Sequence, residues 1–369
     1  MGRPAAFSLI HLAVCVGCGA GPASTESNAA HHTEPEVSEI ARVEVPEDET
    51  VVTTETAVAA EPQASAGLAF DVLLSSASLS TSMGGPSNGS IRGAVSLPEI
   101  GPGFRSNERR PNATAHFGTV ELVRALMRAA AVVHEELPGS EAVINDLGFA
   151  EGGPIPHHGS HQAGRDVDVL FYYLDRDGQP WPAKGVPVDL RGRGWDFGDL
   201  SDPRDDVRVH IDLPRTWRFI AALIEHDLGA EETLLQRIFI AEHVRTLLLG
   251  QAERVRAPSP IRERFEALTC QPSHPHDDHF HLRFFCSAED LEGGCADSPP
   301  MYPWRRDQLR AVGIEPVFAT RAPRSRRART VTRRQAQQAA GRIHARVAAF
   351  LAERAEWSVA QHPGRPYCR

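Results

Sequence analysis

The spacing of hydrophobic positions predicts a chain in which helices and short strands are mixed. Residues 117–136 carry apolar side chains three to four positions apart, which is typical of an amphipathic helix, and Leu137-Pro138-Gly139 ends it. A second helix is predicted over residues 214–227, with Asp212 as its N-cap. Strands are predicted over residues 142–147, 167–173, 234–241 and 280–285, and further helices over residues 242–249 and 335–357. This pattern predicts an α+β fold in which a small antiparallel sheet is flanked by helices.

The N-terminal part of the chain differs in character from the middle. Residues 1–18 are similar to an export signal, because an arginine precedes a short apolar run and then small residues around Cys18. The run is too short to span a bilayer stably, and Cys18 resembles the lipidated cysteine of bacterial lipoproteins, so lipidation and simple cleavage both stay open. Residues 19–66 are acidic and poor in apolar side chains, which predicts a disordered linker. The expected location is periplasmic, as an outer-membrane lipoprotein or a secreted protein.

Composition separates the C-terminal part from the predicted domain. Residues 67–298 are expected to form the domain, and residues 299–369 an arginine-rich extension with one helix. The arginine run at residues 324–329 is compatible with binding to an acidic polymer, although a solvated basic tail is the simpler interpretation. The net charge of −9 argues against a nucleic-acid partner.

The single lysine of the chain excludes one class of enzyme. Penicillin-binding serine peptidases need a Ser-x-x-Lys pair, in which the lysine helps to activate the serine. The only lysine is Lys184, and the residue three positions before it is Trp181. The chain therefore cannot use that chemistry.

Four cysteines follow the predicted export signal: Cys270, Cys286, Cys295 and Cys368. In an exported chain they favour two disulfides, for which three pairings are possible. Cys286 with Cys295 is the favoured pair, because it closes a short glycine-containing loop. That choice leaves Cys270 to pair with Cys368.

Two short segments concentrate imidazole and carboxylate groups. Residues 157–168 and 274–281 hold seven of the 17 histidines, far more than an even scatter would place there. Neutral imidazole nitrogens and carboxylate oxygens are ligands of zinc, and a catalytic zinc site uses three of them. The clustering therefore indicates a metal site.

Strand geometry selects residues within these two segments. Side chains two positions apart lie on the same face of a strand, so His279 shares a face with His281, and Asp166 shares one with Asp168. His161 lies on the glycine-rich approach to the first of these strands. Two adjacent strands are therefore expected to place His161, Asp168 and His281 around one ion.

The same segments resemble a known family of zinc peptidases. Residues 160–168 (Ser-His-Gln-Ala-Gly-Arg-Asp-Val-Asp) and 276–283 (His-Asp-Asp-His-Phe-His-Leu-Arg) are similar to motifs of the penicillin-insensitive murein endopeptidases. These belong to the lysostaphin, D-Ala-D-Ala peptidase and hedgehog group. Weaker similarities lie at residues 116–118, 237–240 and 286–295, and the likeness covers about residues 84–298.

The resemblance implies a role for each candidate residue. It implies Zn²⁺ ligands, a catalytic histidine and further active-site histidines. We expect the catalytic histidine to take the proton from the zinc-activated water and one of the two further histidines to stabilise the oxyanion. The ligands would be His161, Asp168 and His281, the catalytic histidine His279, and the further histidines His158 and His276.

The resemblance assigns the roles of the carboxylates near these histidines less clearly. Asp277 and Asp278 depart from the family pattern. Asp278 occupies the position of a glutamate base in carboxypeptidase-type relatives, so it either competes with His279 as the general base or orients a histidine. Asp166 is expected only to hydrogen-bond the turn.

The implied activity is zinc-dependent hydrolysis of D-alanyl–meso-diaminopimelyl cross-links in peptidoglycan. Three alternatives stay open. The chain could be a zinc carboxypeptidase that removes terminal D-alanine from uncross-linked stems. It could also be a zinc-containing wall-binding module without catalysis, or an adaptor that tethers through its arginine-rich extension.

Overall fold

The computed structural model describes residues 80–107, 112–182, 184–272, 274, 276–320, 333–357 and 368. The predicted export signal, the acidic linker and the arginine run at residues 324–329 lie outside the described residues. Within the described ranges, no helix has the length and apolar character needed to cross a membrane.

Fifteen strands are described, most of them short. They are β1 (Thr81–Met83), β2 (Ser90–Arg92), β3 (Val95–Ser96), β4 (Ile100–Gly101), β5 (Phe104–Ser106), β6 (Phe117–Gly118), β7 (Ala142–Ile144), β8 (Asp166–Leu170), β9 (Tyr173–Leu174), β10 (Pro180–Trp181), β11 (Arg193–Asp196), β12 (Val207–Ile211), β13 (Leu235–Phe239), β14 (Thr269–Cys270) and β15 (His279–Phe284).

Eight helices are described along the same ranges. They are α1 (Val120–Glu136), α2 (Leu213–Gly229), α3 (Glu242–Arg254), α4 (Ser259–Leu268), α5 (Ala288–Glu292), α6 (Pro303–Ala311), α7 (Arg333–Ala340) and α8 (Ala345–Trp357).

The main sheet has seven strands in the order β14-β13-β15-β8-β7-β5-β4. The pairs β13–β15, β15–β8 and β8–β7 at its centre are antiparallel. The α+β class is confirmed, but the sheet is larger than expected and mixed, because β5 pairs with β7 and β13 with β14 in parallel. The two strands of each parallel pair are separated in the sequence by helices, as parallel pairing requires. The helix α1 lies between β5 and β7, and α3 and α4 lie between β13 and β14.

Side-chain caps mark the N-termini of the two long helices. The first begins at Val120, three residues after its predicted start, because Phe117–Gly118 form β6; the second begins at Leu213, after the predicted cap Asp212. The Thr119 hydroxyl accepts a hydrogen bond from the Leu122 amide at 3.4 Å at the start of α1. The Asp212 carboxylate accepts one from the Arg215 amide at 3.1 Å at the start of α2. The single helix predicted over residues 335–357 is wrong: α7 and α8 are separate, and Gly341 between them has a φ of +68°, which does not continue a helix.

One face of the main sheet packs on the helices and forms the core. Val167 and Val169 of β8 and Phe280 and Leu282 of β15 are fully buried on this face. The Phe280 ring lies 5.7 Å from that of Phe219 in α2. Because side chains alternate along a strand, the residues between these apolar positions lie on the opposite face.

Both disulfides join the cysteines in the favoured pairing. Cys286 is bonded to Cys295 across nine positions, which confirms the preferred pair. Cys270 at the end of β14 is bonded to Cys368, 98 positions away. The second bond therefore ties the end of the C-terminal extension to the main sheet.

A buried guanidinium connects the start of β8 to its surroundings. Arg165 is 1% exposed. It donates hydrogen bonds to the Ser82 hydroxyl (3.0 Å), the carbonyls of Phe284 (2.8 Å) and Ala296 (3.0 Å), and the Asp297 carboxylate (3.2 Å). These four acceptors come from three distant parts of the chain, so Arg165 fixes the position from which β8 begins.

We expect Arg165→Met to lower the free energy of unfolding by about 3–5 kcal/mol, because the buried Asp297 carboxylate and the carbonyls lose their donor. Urea unfolding followed by circular dichroism measures the loss. The matched control is Arg105→Met, which removes an exposed ion pair with Glu141 and should cost about 1 kcal/mol or less. Equal losses in the two variants would contradict the structural role of Arg165.

Candidate metal centre

The register of β15 against β8 places the candidate residues side by side. The two strands are antiparallel, with His281 directly opposite Asp168 and Arg283 opposite Asp166. All four side chains lie on the face of the sheet that points away from α1 and α2, as the spacing of two predicts. His279 lies on the same face, two residues before His281.

A tightly bent segment brings His161 to this face. His161 has a φ of +68°, a conformation that is costly for a residue with a Cβ and that clusters at functional sites. Gly164 has a φ of +71°, and a Cβ there would lie 2.4 Å from the Ile91 side chain. The positive φ therefore favours glycine at this position, and it allows the chain to turn from His161 into β8.

Several imidazole rings converge on the Asp168 carboxylate. The distances to its Oδ1 atom are 3.4 Å from His161 Nε2, 3.5 Å from His281 Nδ1 and 3.7 Å from His279 Nε2. Its other oxygen, Oδ2, lies 3.5 Å from His158 Nδ1. The residues that sequence reasoning selected from two separate segments thus meet at one carboxylate.

Two of these atoms are buried polar groups that lack a hydrogen bond. His161 Nε2 and Asp168 Oδ1 have no hydrogen-bond partner within the described part of the chain. Such atoms are costly unless a ligand satisfies them. A tetrahedral ion with bonds of about 2.0–2.1 Å separates its ligand atoms by about 3.4 Å. The observed spacings of 3.4 and 3.5 Å therefore suit a metal ion with nitrogen and oxygen ligands.

Two histidines are candidates for the third ligand. One atom each from His158, His161 and Asp168 lies within 4.8 Å of the other two, so these residues could hold a metal ion. The sequence instead predicted His281 beside His161 and Asp168. His281 faces the same unpaired oxygen as His161 does, whereas His158 faces the other oxygen.

Each of these rings is oriented by an acceptor on its outer side. An acceptor at one ring nitrogen fixes the proton there and leaves the other nitrogen free to bind a metal. His161 Nδ1 donates to the Leu147 carbonyl (2.7 Å), His281 Nε2 to Asp166 Oδ1 (2.7 Å), and His158 Nε2 to Asp146 Oδ2 (2.8 Å).

Two of the candidate ligands, Asp168 and His281, are held in the protonation states that bind a metal. Burial would raise the pKa of Asp168, but the neighbouring His161 and His279 hold it well below its usual range. Burial and the nearby His161 lower the pKa of His281 to about 4, so this ring is neutral at pH 7. Neutral imidazole and ionised carboxylate are the forms that bind a metal.

Asp166 and Asp146 have larger roles than the sequence indicated. Asp166 was expected to hydrogen-bond the turn, but it accepts hydrogen bonds from His281 and from Arg283, both at 2.7 Å. Asp146 was not selected at all, and its buried carboxylate accepts from His158 and from Asn112. The only sequence signal for Asp146 is an acidic residue at the end of a predicted apolar strand.

The last part of the site is the segment before β15. His279 Nδ1 donates to Asp278 Oδ1 at 2.6 Å. Burial alone would lower the pKa of His279, but Asp168 and Asp278 outweigh it and raise that pKa to about 9. His276 also has a positive φ, of +51°, and its Nδ1 donates to the His274 carbonyl at 2.8 Å. The His276 ring lies 4.7 Å from that of His279, so it borders the same space.

Comparisons with known proteins agree with this geometry. The chain is 31% identical over 231 residues to a protein from Klebsiella pneumoniae subsp. pneumoniae named penicillin-insensitive murein endopeptidase, covering 60% of this chain and 72% of that protein. It is 29% identical over 228 residues to a protein of the same name from Yersinia pestis bv. Antiqua, covering 59% and 71%. A third protein of that name, from Salmonella arizonae, is 30% identical over 223 residues, covering 59% and 70%.

The model of one protein family matches residues 82–306, a range that contains every candidate site residue. This range is more than half of the chain. The chain therefore belongs to the penicillin-insensitive murein endopeptidase family.

Proposed function

We propose that this chain is a zinc-dependent peptidoglycan endopeptidase that hydrolyses D-alanyl–meso-diaminopimelyl cross-links between stem peptides. One observation carries the proposal. His161 Nε2 and Asp168 Oδ1 are buried, lack hydrogen bonds within the described residues, and lie 3.4 Å apart in a member of this family. The relatives are named murein endopeptidases, which supports the cross-linked wall polymer as the substrate.

We assign His161, Asp168 and His281 as the metal ligands. His161 and His281 both face Asp168 Oδ1, the oxygen without a hydrogen bond, at nearly equal distances. His158 faces Oδ2, and its side chain is 15% exposed, against 0% and 9% for the other two histidines. Two imidazoles and one carboxylate leave one position for water or substrate, and this donor set suits zinc.

The general base in this scheme is His279. A zinc ion at this centre supplies a Lewis acid that polarises the scissile carbonyl and lowers the pKa of water. His279 Nε2 points toward the centre, and its Nδ1 is held by the Asp278 carboxylate. A cation held at Asp168 would offset the negative charge that raises the pKa of His279, so His279 would then take the proton of the attacking water and pass it to the leaving amine.

Asp278 then acts through His279 rather than in its place. Its Oδ1 accepts a hydrogen bond from His279 Nδ1, with 2.6 Å between the two atoms, and the Asp278 side chain is only 4% exposed. A carboxylate in this position fixes the tautomer of the imidazole and stabilises the imidazolium that forms. The alternative in which Asp278 is the base is therefore less favoured by the geometry.

His158 and His276 differ in what they can offer to substrate. The pKa of His276 is held well below its usual value by burial and by the nearby His279, so the ring is neutral. Because its Nδ1 donates to a backbone carbonyl, its Nε2 is an acceptor, which suits a substrate amide better than an oxyanion. His158 lies between the carboxylates of Asp146 and Asp168, and we propose it as the hydrogen-bond donor to the oxyanion.

We also propose that the chain is exported to the cell-wall compartment. Two disulfides fit an oxidising environment. Cys18 is the proposed site of lipid attachment to the outer membrane. Mass spectrometry of the mature N-terminus distinguishes a lipidated Cys18 from simple cleavage.

The ligand assignment predicts a difference between two histidine variants. His281→Ala should lose stoichiometric zinc, because it removes one of three ligands. His158→Ala should keep one zinc per chain, because its ring faces the other oxygen of Asp168. Elemental analysis of the purified, dialysed proteins measures both. Zinc loss in His158→Ala with retention in His281→Ala would reverse the assignment.

The base assignment predicts a graded loss of activity. His279→Ala should keep its zinc while its kcat/KM for cross-linked muropeptides falls by about 10²–10⁴-fold, since general-base catalysis is removed. Asp278→Asn should lose about 10–100-fold, as expected for a residue that orients a catalytic group. Chromatographic separation and mass analysis of the muropeptide products give the rates.

The same assay separates the alternatives. A larger loss in Asp278→Asn than in His279→Ala would make Asp278 the base. Release of single D-alanine from uncross-linked stems, with dimers untouched, would make the enzyme a carboxypeptidase. Zinc retention and wall binding without any released peptide, and without sensitivity to a chelator, would contradict catalysis and leave a binding module or a tethering adaptor.

A further inference from the structure

We propose that Arg354, in the C-terminal extension, is a positioning residue for the segment that carries His276, Asp278 and His279. Arg354 lies in α8, beyond the range of residues 82–306 that the family model matches. Its effect on catalysis rests on the proposed function, whereas its effect on the segment does not.

The contact that carries this proposal is a buried ion pair with Asp277. Asp277 is 0% exposed. Arg354 donates from Nε to Asp277 Oδ2 at 3.0 Å and from Nη2 to Oδ1 at 2.6 Å, so both carboxylate oxygens are bound by one guanidinium. The indole of Trp357 donates a third hydrogen bond to Oδ2 at 3.1 Å.

The geometry of this pair makes it a stringent constraint. A carboxylate taken out of water is costly unless its charge is compensated and its oxygens are hydrogen-bonded. A two-point guanidinium–carboxylate pair fixes direction as well as distance. Asp277 therefore cannot move far from Arg354 without losing the partner that makes its burial tolerable.

The backbone transmits this constraint to the site. Asp277 is flanked by His276 on one side and by Asp278 and His279 on the other. The Asp277 carbonyl accepts a hydrogen bond from the Val188 amide at 2.9 Å, and the His276 carbonyl accepts one from the Ala241 amide at 3.0 Å. The segment is thus held by its backbone from the core domain and by the Asp277 side chain from the extension.

The extension is itself fastened to the core domain at separate points. Arg346 pairs with Asp206 and lies over the Trp195 ring at 4.6 Å. Phe350 packs edge-on against Phe197 at 5.5 Å. A disulfide joins Cys368 to Cys270, the last residue of β14, six residues before His276. Arg354 therefore acts from an anchored helix.

This arrangement explains why two adjacent carboxylates precede β15. Asp277 points to Arg354, and Asp278 points to His279. The two carboxylates are divided between two tasks. One carboxylate binds the extension, and the next orients the proposed base.

The test compares two arginine variants of α8 in the full chain. Arg354→Met removes the contact with the segment, and Arg346→Met removes a more exposed ion pair of the same helix that lies away from the segment. Hydrogen–deuterium exchange is measured in peptides that contain the amides of Val188 and Ala241. The kcat and KM for cross-linked muropeptides and the zinc content are measured on the same proteins.

In Arg354→Met we expect the Val188 and Ala241 amides to exchange about tenfold faster or more, because the carbonyls that they donate to are no longer held. We expect kcat to fall about tenfold or more, with KM within about twofold and one zinc per chain, since small misplacement of catalytic groups is costly. Arg346→Met should match the unaltered protein in exchange and in kcat.

A double variant separates positioning from charge compensation. Asp277→Asn combined with Arg354→Met removes the unpaired buried charge, so thermal stability should recover while kcat stays low. Recovery of kcat together with stability would overturn the proposal, since the pair would then serve only to neutralise Asp277. If Arg354→Met does not fold, Arg354→Lys replaces it, because lysine keeps the charge but cannot bind both oxygens in the same way.

Other outcomes are also decisive. Unchanged exchange at Val188 and Ala241 in Arg354→Met, or in folded Arg354→Lys, would refute the proposal. Equal changes in Arg346→Met would refute it as well, because the effect would come from the extension as a whole. If the unaltered chain cleaves no muropeptide, the proposed function fails, and the exchange measurement still decides the role of Arg354.

Discussion

The antiparallel pairing of β8 with β15 is the constraint on which the site depends. A shift of one residue would turn His281 and His279 to the helix-covered face and place Phe280 among the carboxylates. Two features oppose such a shift. Phe280 is fully buried against the helices, and Arg283 pairs with Asp166 on the opposite strand at 2.7 Å. The hydrophobic core and a buried ion pair thus set the same register, and the register sets the distances at Asp168.

Sequence patterns predicted those features that follow from periodicity. The spacing of two put His279 and His281 on one face, and Asp212 caps the second long helix as predicted. Spacing does not show which strand lies beside which, so the acceptors behind the rings, such as Asp146, were not identified. The parallel strands at the sheet edges depend on crossovers, which local patterns do not encode. The break at Gly341 was missed because one glycine changes apolar periodicity very little.

The candidate centre is rich in negative charge for so buried a place. Asp146, Asp166 and Asp278 each accept a hydrogen bond from a different histidine ring, while Asp168 lies among the rings. Each outer carboxylate makes its imidazole a better electron donor and fixes the nitrogen that points inward. This excess of carboxylates also favours a divalent cation at the centre. The same three outer carboxylates therefore orient the imidazole rings and favour a cation at the centre.

The contact between residues 277 and 354 also has a consequence for the order of folding. A chain is synthesised from its N-terminus, so β8 and β15 exist as polypeptide well before α8 emerges. Until then Asp277 has no guanidinium to meet, and the stretch ahead of β15 has only its backbone bonds to hold it. The geometry of the segment before β15 would thus be completed only after α8 has been made. A nascent or truncated chain that stops before α8 would carry the candidate ligands without the final alignment of the segment before β15.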